Sequence, residues 1–273
     1  MVFKKILTPL ILNVLLLLSL INWLEKQQNQ LLNPQYILGW TLFFLTLFMS
    51  AYGLKKKLST LPLGSNRTWY QLHIVFGVWC LVIFGFHTHW SIPNNLINFF
   101  LWLGFVSIIT SGFLGYFLIK FLAPNVSARG ERMIFNKIPQ AIYSNRQKAI
   151  KLIQQTAASE NGKPLVDYYN SKLKRVFQNN GHLWLKFFGY KNRLQRKLIE
   201  LEELDRYLDS ENQQRLCLLK ELVKQKFMLS WQYTSLSILR NWTLLHVPII
   251  WFTIILLVIH IVIQYAFQLR TPW

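Results

Sequence analysis

The chain reads as an all-α polytopic membrane helical bundle, with five transmembrane helices and a cytoplasmic helical insertion between the fourth and the fifth. Three observations predict this. Of the 273 residues 52% are hydrophobic and only 15% charged, and the apolar residues gather into long runs instead of lining one amphipathic face. Five of those runs are long enough to cross the hydrocarbon core of a bilayer. The charge of +19 is also unevenly placed, with 21 Lys and Arg against 10 Asp and Glu between Ala123 and Arg240, and 9 against the single Glu25 elsewhere. The expected organisation is therefore residues 1–122 as transmembrane helices one to four, 123–240 as a basic cytoplasmic helical domain, and 241–273 as the fifth transmembrane helix with an outer C-terminus.

The first span, Ile6 to Leu24, follows Lys4 and Lys5. It lacks a small-residue cleavage site, so it is read as a retained helix and not as a signal peptide. Tyr36 to Leu54 is the second and shortest span, and Trp69 to Trp90, Ile97 to Leu122 and Leu244 to Phe267 complete the set. Two cysteines, Cys80 and Cys217, make neither a disulfide framework nor a CxxC site. The near absence of acids from the spans argues against a carboxylate proton relay, which excludes the usual chemistry of a pump.

Lys4 and Lys5, then Lys55, Lys56, Lys57 and Arg67, then the large basic segment all fall on one side of the spans. The loop at Glu25 and Lys26 is balanced, and Ser91 to Asn95 is uncharged. The positive-inside bias places the N-terminus and residues 123–240 in the cytoplasm and the C-terminus outside, with Arg270 as a dissenting charge. The expected location is the cytoplasmic (inner) membrane of a bacterium. Spans three and five then run in the same direction.

Those two spans carry a repeat. Arg67, Trp69, Leu72, His73 and His87 are matched by Arg240, Trp242, Leu245, His246 and His260, so R-x-W-x-x-L-H-x13-H occurs twice. Histidine inside a membrane is costly and marks function. Fourteen residues of α-helix make about four turns less roughly 40° and rise roughly 21 Å, which puts both imidazoles on one face near opposite membrane surfaces. With the spans parallel, His73 faces His246 at the inner level and His87 faces His260 at the outer. Each level can supply the two axial imidazoles of a haem iron, an arrangement suited to electron transfer. No CxxCH attachment is present, so the expected cofactors are two non-covalent haem b groups, with His73, His246, His87 and His260 as metal ligands.

The neighbours of the repeat fit this reading. Arg67 and Arg240, six residues before their histidines, are candidates to pair with haem propionates. Trp69 and Trp242 read equally well as an aromatic belt. Gly77, one turn from His73, leaves room for a porphyrin edge, whereas the matching position in the other copy is Ile250. Gly104, Ser107, Ser111 and Gly115 form a small-residue stripe in span four that allows close approach of a neighbouring helix or of a macrocycle, helix packing being the simpler reading. His89, at the outer end of span three, is read as interfacial, and as the substitute ligand should His87 not serve. His182 reads as a surface residue near a turn.

The insertion reads as helical. Pro124 ends span four, a helix covers Arg146 to Ala158, and Gly162 with Pro164 marks a loop before Leu165 to Phe177. Leu194, Leu198, Leu201, Leu204 and Leu208 have amphipathic spacing, and Asp209 breaks that run. Ser210 with Gln213 has capping-box form and opens a helix that continues toward span five. The basic residues are mixed with acids between two spans, so anionic lipid or an acidic redox partner is the expected contact, and nucleic acid is not.

At the four histidines the chain resembles di-haem b-type cytochromes: the cytochrome b of quinol-oxidising complexes and the membrane half of ferric reductases and NADPH oxidases. The resemblance covers spans three to five. It implies that the four histidines are axial ligands and that electrons cross the membrane through two haems, as in a respiratory chain. The surroundings depart from those families, because residues 123–240 contain no Gly-rich dinucleotide turn, so no flavin or NAD(P) site is expected. No quinol-site motif is recognisable, which leaves quinone an open partner.

Three function classes follow. The leading one is an electron-transfer subunit working with a redox partner protein on the cytoplasmic or outer side. A quinol dehydrogenase or metal (ferric) reductase with its own substrate site is the second, and a haem-free membrane scaffold or transporter is the third.

Overall fold

A computed structural model of the chain describes all residues except 1–12, 16, 20, 23–25, 27–33, 58–63, 128–134, 160, 179–189 and 269–273. Most of the first predicted span lies outside the described residues, as does His182. Among the described residues there are helices and no strand: α1 (Pro34–Lys57), α2 (Asn66–His87), α3 (Leu96–Ser127), α4 (Ile138–Ala157), α5 (Lys163–Tyr168), α6 (Lys174–Gln178), α7 (Tyr190–Glu203) and α8 (Ser210–Gln268). A π-helical stretch, Tyr169–Leu173, joins α5 to α6, and a short 3-10 turn, Leu204–Tyr207, follows α7.

Among the described residues four helices are long and apolar enough to cross a membrane, through Gln35–Gly53, Arg67–His87, Leu96–Leu122 and Ser210–Phe267. Helices are the form such apolar runs must take, because hydrocarbon offers no partner to an unpaired peptide group. Few side chains in these runs are buried, and many large apolar ones are exposed, among them Phe44, Phe113, Phe117, Leu245, Phe252 and Val262. An apolar exterior of this extent is what a lipid environment stabilises and water does not. The chain is thus all-α and membrane-like.

The chain divides into two compact units, Met1–Leu114 with Leu244–Trp273, and Gly115–Thr243, so the boundaries fall inside α3 and α8. In the first unit the apolar core is built from Leu38 and Leu42 of α1, Cys80, Ile83 and Phe84 of α2, Leu101 and Phe105 of α3, and Leu257 of α8, with Leu17 and Ile21 against them. The Phe84 and Phe105 rings stack at 5.1 Å. α1 and α2 are the membrane helices whose backbones pack closely along their length.

Helix ends follow local chemistry. Ser65 caps α2 by accepting from the Thr68 N–H at 3.1 Å. α3 continues through Pro124 to Ser127, beyond the expected stop, since a proline in a last turn removes just one helical bond. α8 starts at Ser210 as expected, but its cap is the preceding residue: the Asp209 carboxylate accepts from the Asn212 N–H at 3.3 Å. The helix then runs unbroken for 59 residues past Pro248 into the last span.

The second unit has a core of its own. Leu152 and Ile153 of α4, Leu165 of α5, Leu173, Phe177 of α6, Leu201 of α7 and Leu216, Leu219 and Val223 of α8 are buried together. α4 begins eight residues before the expected Arg146, at Ile138 with Pro139 in its first turn, a position where a missing N–H costs nothing. Gly162 is required by close approach, because a Cβ there would stand 2.0 Å from the Thr156 carbonyl oxygen. At the edge of this core Glu200 accepts from Lys197 at 2.9 Å and from the Tyr168 hydroxyl at 2.9 Å. Lys197 beside it holds the Glu200 carboxyl down to about 2, while burial and this carboxylate push the Tyr168 hydroxyl upward.

Candidate functional site

The repeat occupies the first unit, apart from Arg240 and Trp242, and each of its helices is flanked by another. Near His73 the neighbour is α1, whose Tyr52 ring lies 5.4 Å from the imidazole. Fourteen residues on, His87 Nδ1 bonds the backbone carbonyl of Gln35, also on α1, at 3.1 Å. Gly39 allows this approach, since a Cβ there would lie 3.1 Å from His87 Cε1.

On α8 the flanking helix is α3. His246, which is 7% exposed, bonds Ser111 Oγ through Nδ1 at 2.7 Å. His260 bonds Asn98 Oδ1 through Nδ1 at 2.9 Å. Between these levels Gly104 faces Thr253, and a Cβ on the glycine would be 2.6 Å from Thr253 Oγ1. The pairs Asn98–His260, Gly104–Thr253 and Ser111–His246 fix an antiparallel register, in which each advance along α3 meets a retreat along α8 that is equal to within one residue.

The stripe of small residues in span four therefore does what close packing requires, and Ser111 adds a polar contact to a candidate ligand. Gly115 belongs to the second unit, where a Cβ would overlap the Trp242 indole. Trp69, the matching tryptophan, stacks on Phe48 of α1 at 5.5 Å. Both tryptophans of the repeat thus pack against the flanking helix.

The rings of His87 and His260 are within electrostatic reach of one another. Three of the four histidines use Nδ1 in the bonds above, and none of those bonds uses Nε2, the nitrogen an iron would take. Among the described residues no three His, Cys, Asp or Glu side chains converge, whereas a haem needs one imidazole from each side. Imidazole is the donor type a bis-histidine haem would take from each side.

Other expected members are placed differently. Gly77 faces α1, where a Cβ would meet Met49 Cε at an ordinary 3.5 Å. No close contact with α1 thus requires a glycine here. The Arg240 guanidinium lies over the Phe135 ring, 5.4 Å from its centroid, within the second unit, and Arg67 is exposed in the first turn of α2.

His89 accepts or donates at Nε2 with the Gln35 side-chain amide at 2.9 Å, and since the amide nitrogen can only donate, His89 Nε2 accepts. That occupies the nitrogen a ligand would offer, in keeping with an interfacial role. His89 and Trp90 have φ of 51° and 55°. They close α2 in a left-handed turn in which Trp90 N–H bonds the Gly85 carbonyl at 2.9 Å and the indole covers Gly85, a Schellman arrangement made without glycine at its C′ position.

Asn98 and Gln35 are the residues that sequence reasoning missed. A lone asparagine or glutamine near the end of an apolar run has no periodic partner, and only the helix register shows which histidine it meets. Comparisons with family models, curated proteins and solved structures give no match for this chain.

Proposed function

We propose that the chain carries electrons across a membrane through two b-type haems, as a subunit of a respiratory or other membrane redox system. His73 with His246 holds the inner haem, and His87 with His260 the outer. The single observation that carries this reading is the twofold R-x-W-x-x-L-H-x13-H in spanning helices, each copy placing two imidazoles about 21 Å apart along its axis. Contact of each first-unit histidine with a flanking helix supports it, because an oriented imidazole is what axial ligation demands.

The haems, when bound, supply reversible one-electron chemistry at iron. The protein's own part would be to present neutral imidazoles from His73, His246, His87 and His260, to leave no iron position to small ligands, and to keep the path in an apolar medium. Arg67, exposed at the start of α2, is the side chain offered to an inner propionate, and Arg240 would have to leave Phe135 to do the same.

In this reading five helices span the cytoplasmic membrane of a bacterium, with the N-terminus and the 123–240 insertion inside and the C-terminus outside. The insertion presents its basic surface to lipid and to an acidic redox partner. A reduced-minus-oxidised spectrum of the purified protein with a haem-to-protein ratio tests the proposal. A b-type spectrum at two haems per chain is expected. Absence of that absorption, or a spectrum unchanged in His73→Ala and His260→Ala, would sink it and leave the scaffold or transporter reading.

A further inference from the structure

The contacts of α3 with α8 reach beyond packing. For His87, His246 and His260 the hydrogen-bond partners assign which ring nitrogen carries the proton. The acceptor for His87 is a backbone carbonyl and that for His260 an amide oxygen, and neither can donate. Their partners must therefore be Nδ1–H. Ser111 could act either way, but its hydroxyl already donates to the Ile108 carbonyl at 2.9 Å. It is left to accept from His246 Nδ1–H.

The spacing is matched as well. Thirteen residues separate Asn98 from Ser111 on α3, and fourteen separate His246 from His260 on α8. Both distances correspond to about 20 Å of helix, so one antiparallel register serves both levels at once. Gly104 against the buried Thr253 lets the two axes come close enough for side chains as short as serine and asparagine to reach.

We infer that Ser111 and Asn98 are a matched pair of positioning residues, which hold His246 and His260 in the Nδ1–H tautomer and so direct the basic Nε2 of each toward a metal. This rests on the proposed haem ligation for its purpose, though not for its geometry. An imidazole that donates from Nδ1 to an oxygen gains electron density at Nε2, and a more basic axial ligand favours ferric over ferrous iron. Each contact therefore lowers the midpoint potential of its own level.

The test has two arms on the full-length protein. In the first, 15N-histidine spectra report the tautomer directly. His246 and His260 should show the Nδ1–H pattern before haem is added, and Ser111→Ala or Asn98→Leu should abolish the preference at its own histidine alone. In the second, redox titration of the haem-loaded protein should show Ser111→Ala raising the inner potential and Asn98→Leu raising the outer, each leaving the other level unmoved.

Two conservative variants guard against simple misfolding. Ser111→Thr keeps the hydroxyl and should restore the inner potential. Asn98→Asp offers a stronger acceptor and should drive the outer potential below that of the parent protein. Tautomers that do not respond, or potentials that move together or in one direction for Asn98→Leu and Asn98→Asp, would overturn the inference. A protein that binds no haem yet loses its Nδ1–H tautomers in Ser111→Ala would leave the positioning pair standing and refute the haem reading instead.

Discussion

The two histidine-bearing helices are flanked in different ways. α2 lies along α1 with close backbone packing and meets it through an aromatic ring at His73 and a main-chain carbonyl at His87. α8 meets α3 through two side chains, Ser111 and Asn98, with a glycine against a threonine between them. A carbonyl acceptor survives any side-chain replacement that keeps the helix, whereas a serine or asparagine is lost in a single substitution. The α3–α8 pair is thus the adjustable side of the site, and the α1–α2 pair the fixed one.

Removing the proposed ligands themselves should produce the largest effect and is blind to this difference. His73→Ala and His246→Ala should each abolish the inner haem, and His87→Ala and His260→Ala the outer, taking the haem-to-protein ratio from two to one. Loss of both haems from any one of these proteins, with its helical circular dichroism intact, would break the picture of two independent levels.

Glycine substitutions come next. Gly104→Ala drives a Cβ to 2.6 Å from Thr253 Oγ1, which is itself held by its bond to the Ile249 carbonyl. Overpacking of that kind costs about 1–3 kcal/mol, against roughly 1 kcal/mol gained from the better helix propensity of alanine. Gly77→Ala meets only Met49 at 3.5 Å, so the propensity gain should stand alone. Thermal unfolding in detergent should therefore fall for Gly104→Ala and hold or rise for Gly77→Ala. The reverse order would mean that the tight contact belongs to α1–α2 and not to α3–α8.

These positions also show what a sequence can reveal about such a site. The four histidines are legible because they recur at one spacing in apolar surroundings, where each is expensive. Helical class is legible for the same reason, since runs of apolar residues leave the backbone no other way to satisfy its peptide groups. Partners of the histidines are not, because hydrogen bonds between helices depend on register and rotation, and a lone Asn98 carries no period. Ser111 was visible merely as a small residue. The neighbour of Gly77 is not legible either, because helix periodicity gives a face but not the helix that covers it, which is α1. The cap of α8 slipped by one residue for a local reason: Asp209 and Ser210 are both good caps, and the carboxylate is the one placed to accept from Asn212.

A subtler contrast concerns Gly39, which sits on the fixed side yet lies against a proposed ligand, His87. A Cβ there would lie 3.1 Å from His87 Cε1, so Gly39→Ala should displace the ring by a few tenths of an ångström and lengthen its bond to the Gln35 carbonyl. Broadening of the outer-haem electron paramagnetic resonance signal, with the inner signal unchanged, is the expected result. An unchanged outer signal would mean that α1 yields more easily than its close packing implies.

Gln35 gives the smallest expected effect and the sharpest test of the difference between the pairs. Its carbonyl accepts from His87, while its side-chain amide donates to His89 at the exposed end of α2. Gln35→Ala removes the second contact and keeps the first. An exposed hydrogen bond of this type contributes about 0.5–1.5 kcal/mol at most, and nothing in its loss alters the donor or acceptor at His87. The outer haem should therefore titrate at the parent potential, although the same haem should shift when Asn98 on the opposite flank becomes leucine. An equal shift in both proteins would show that the outer level responds to any polar change around it. A shift confined to Asn98→Leu would mean that the two flanks of one haem differ as main chain differs from side chain.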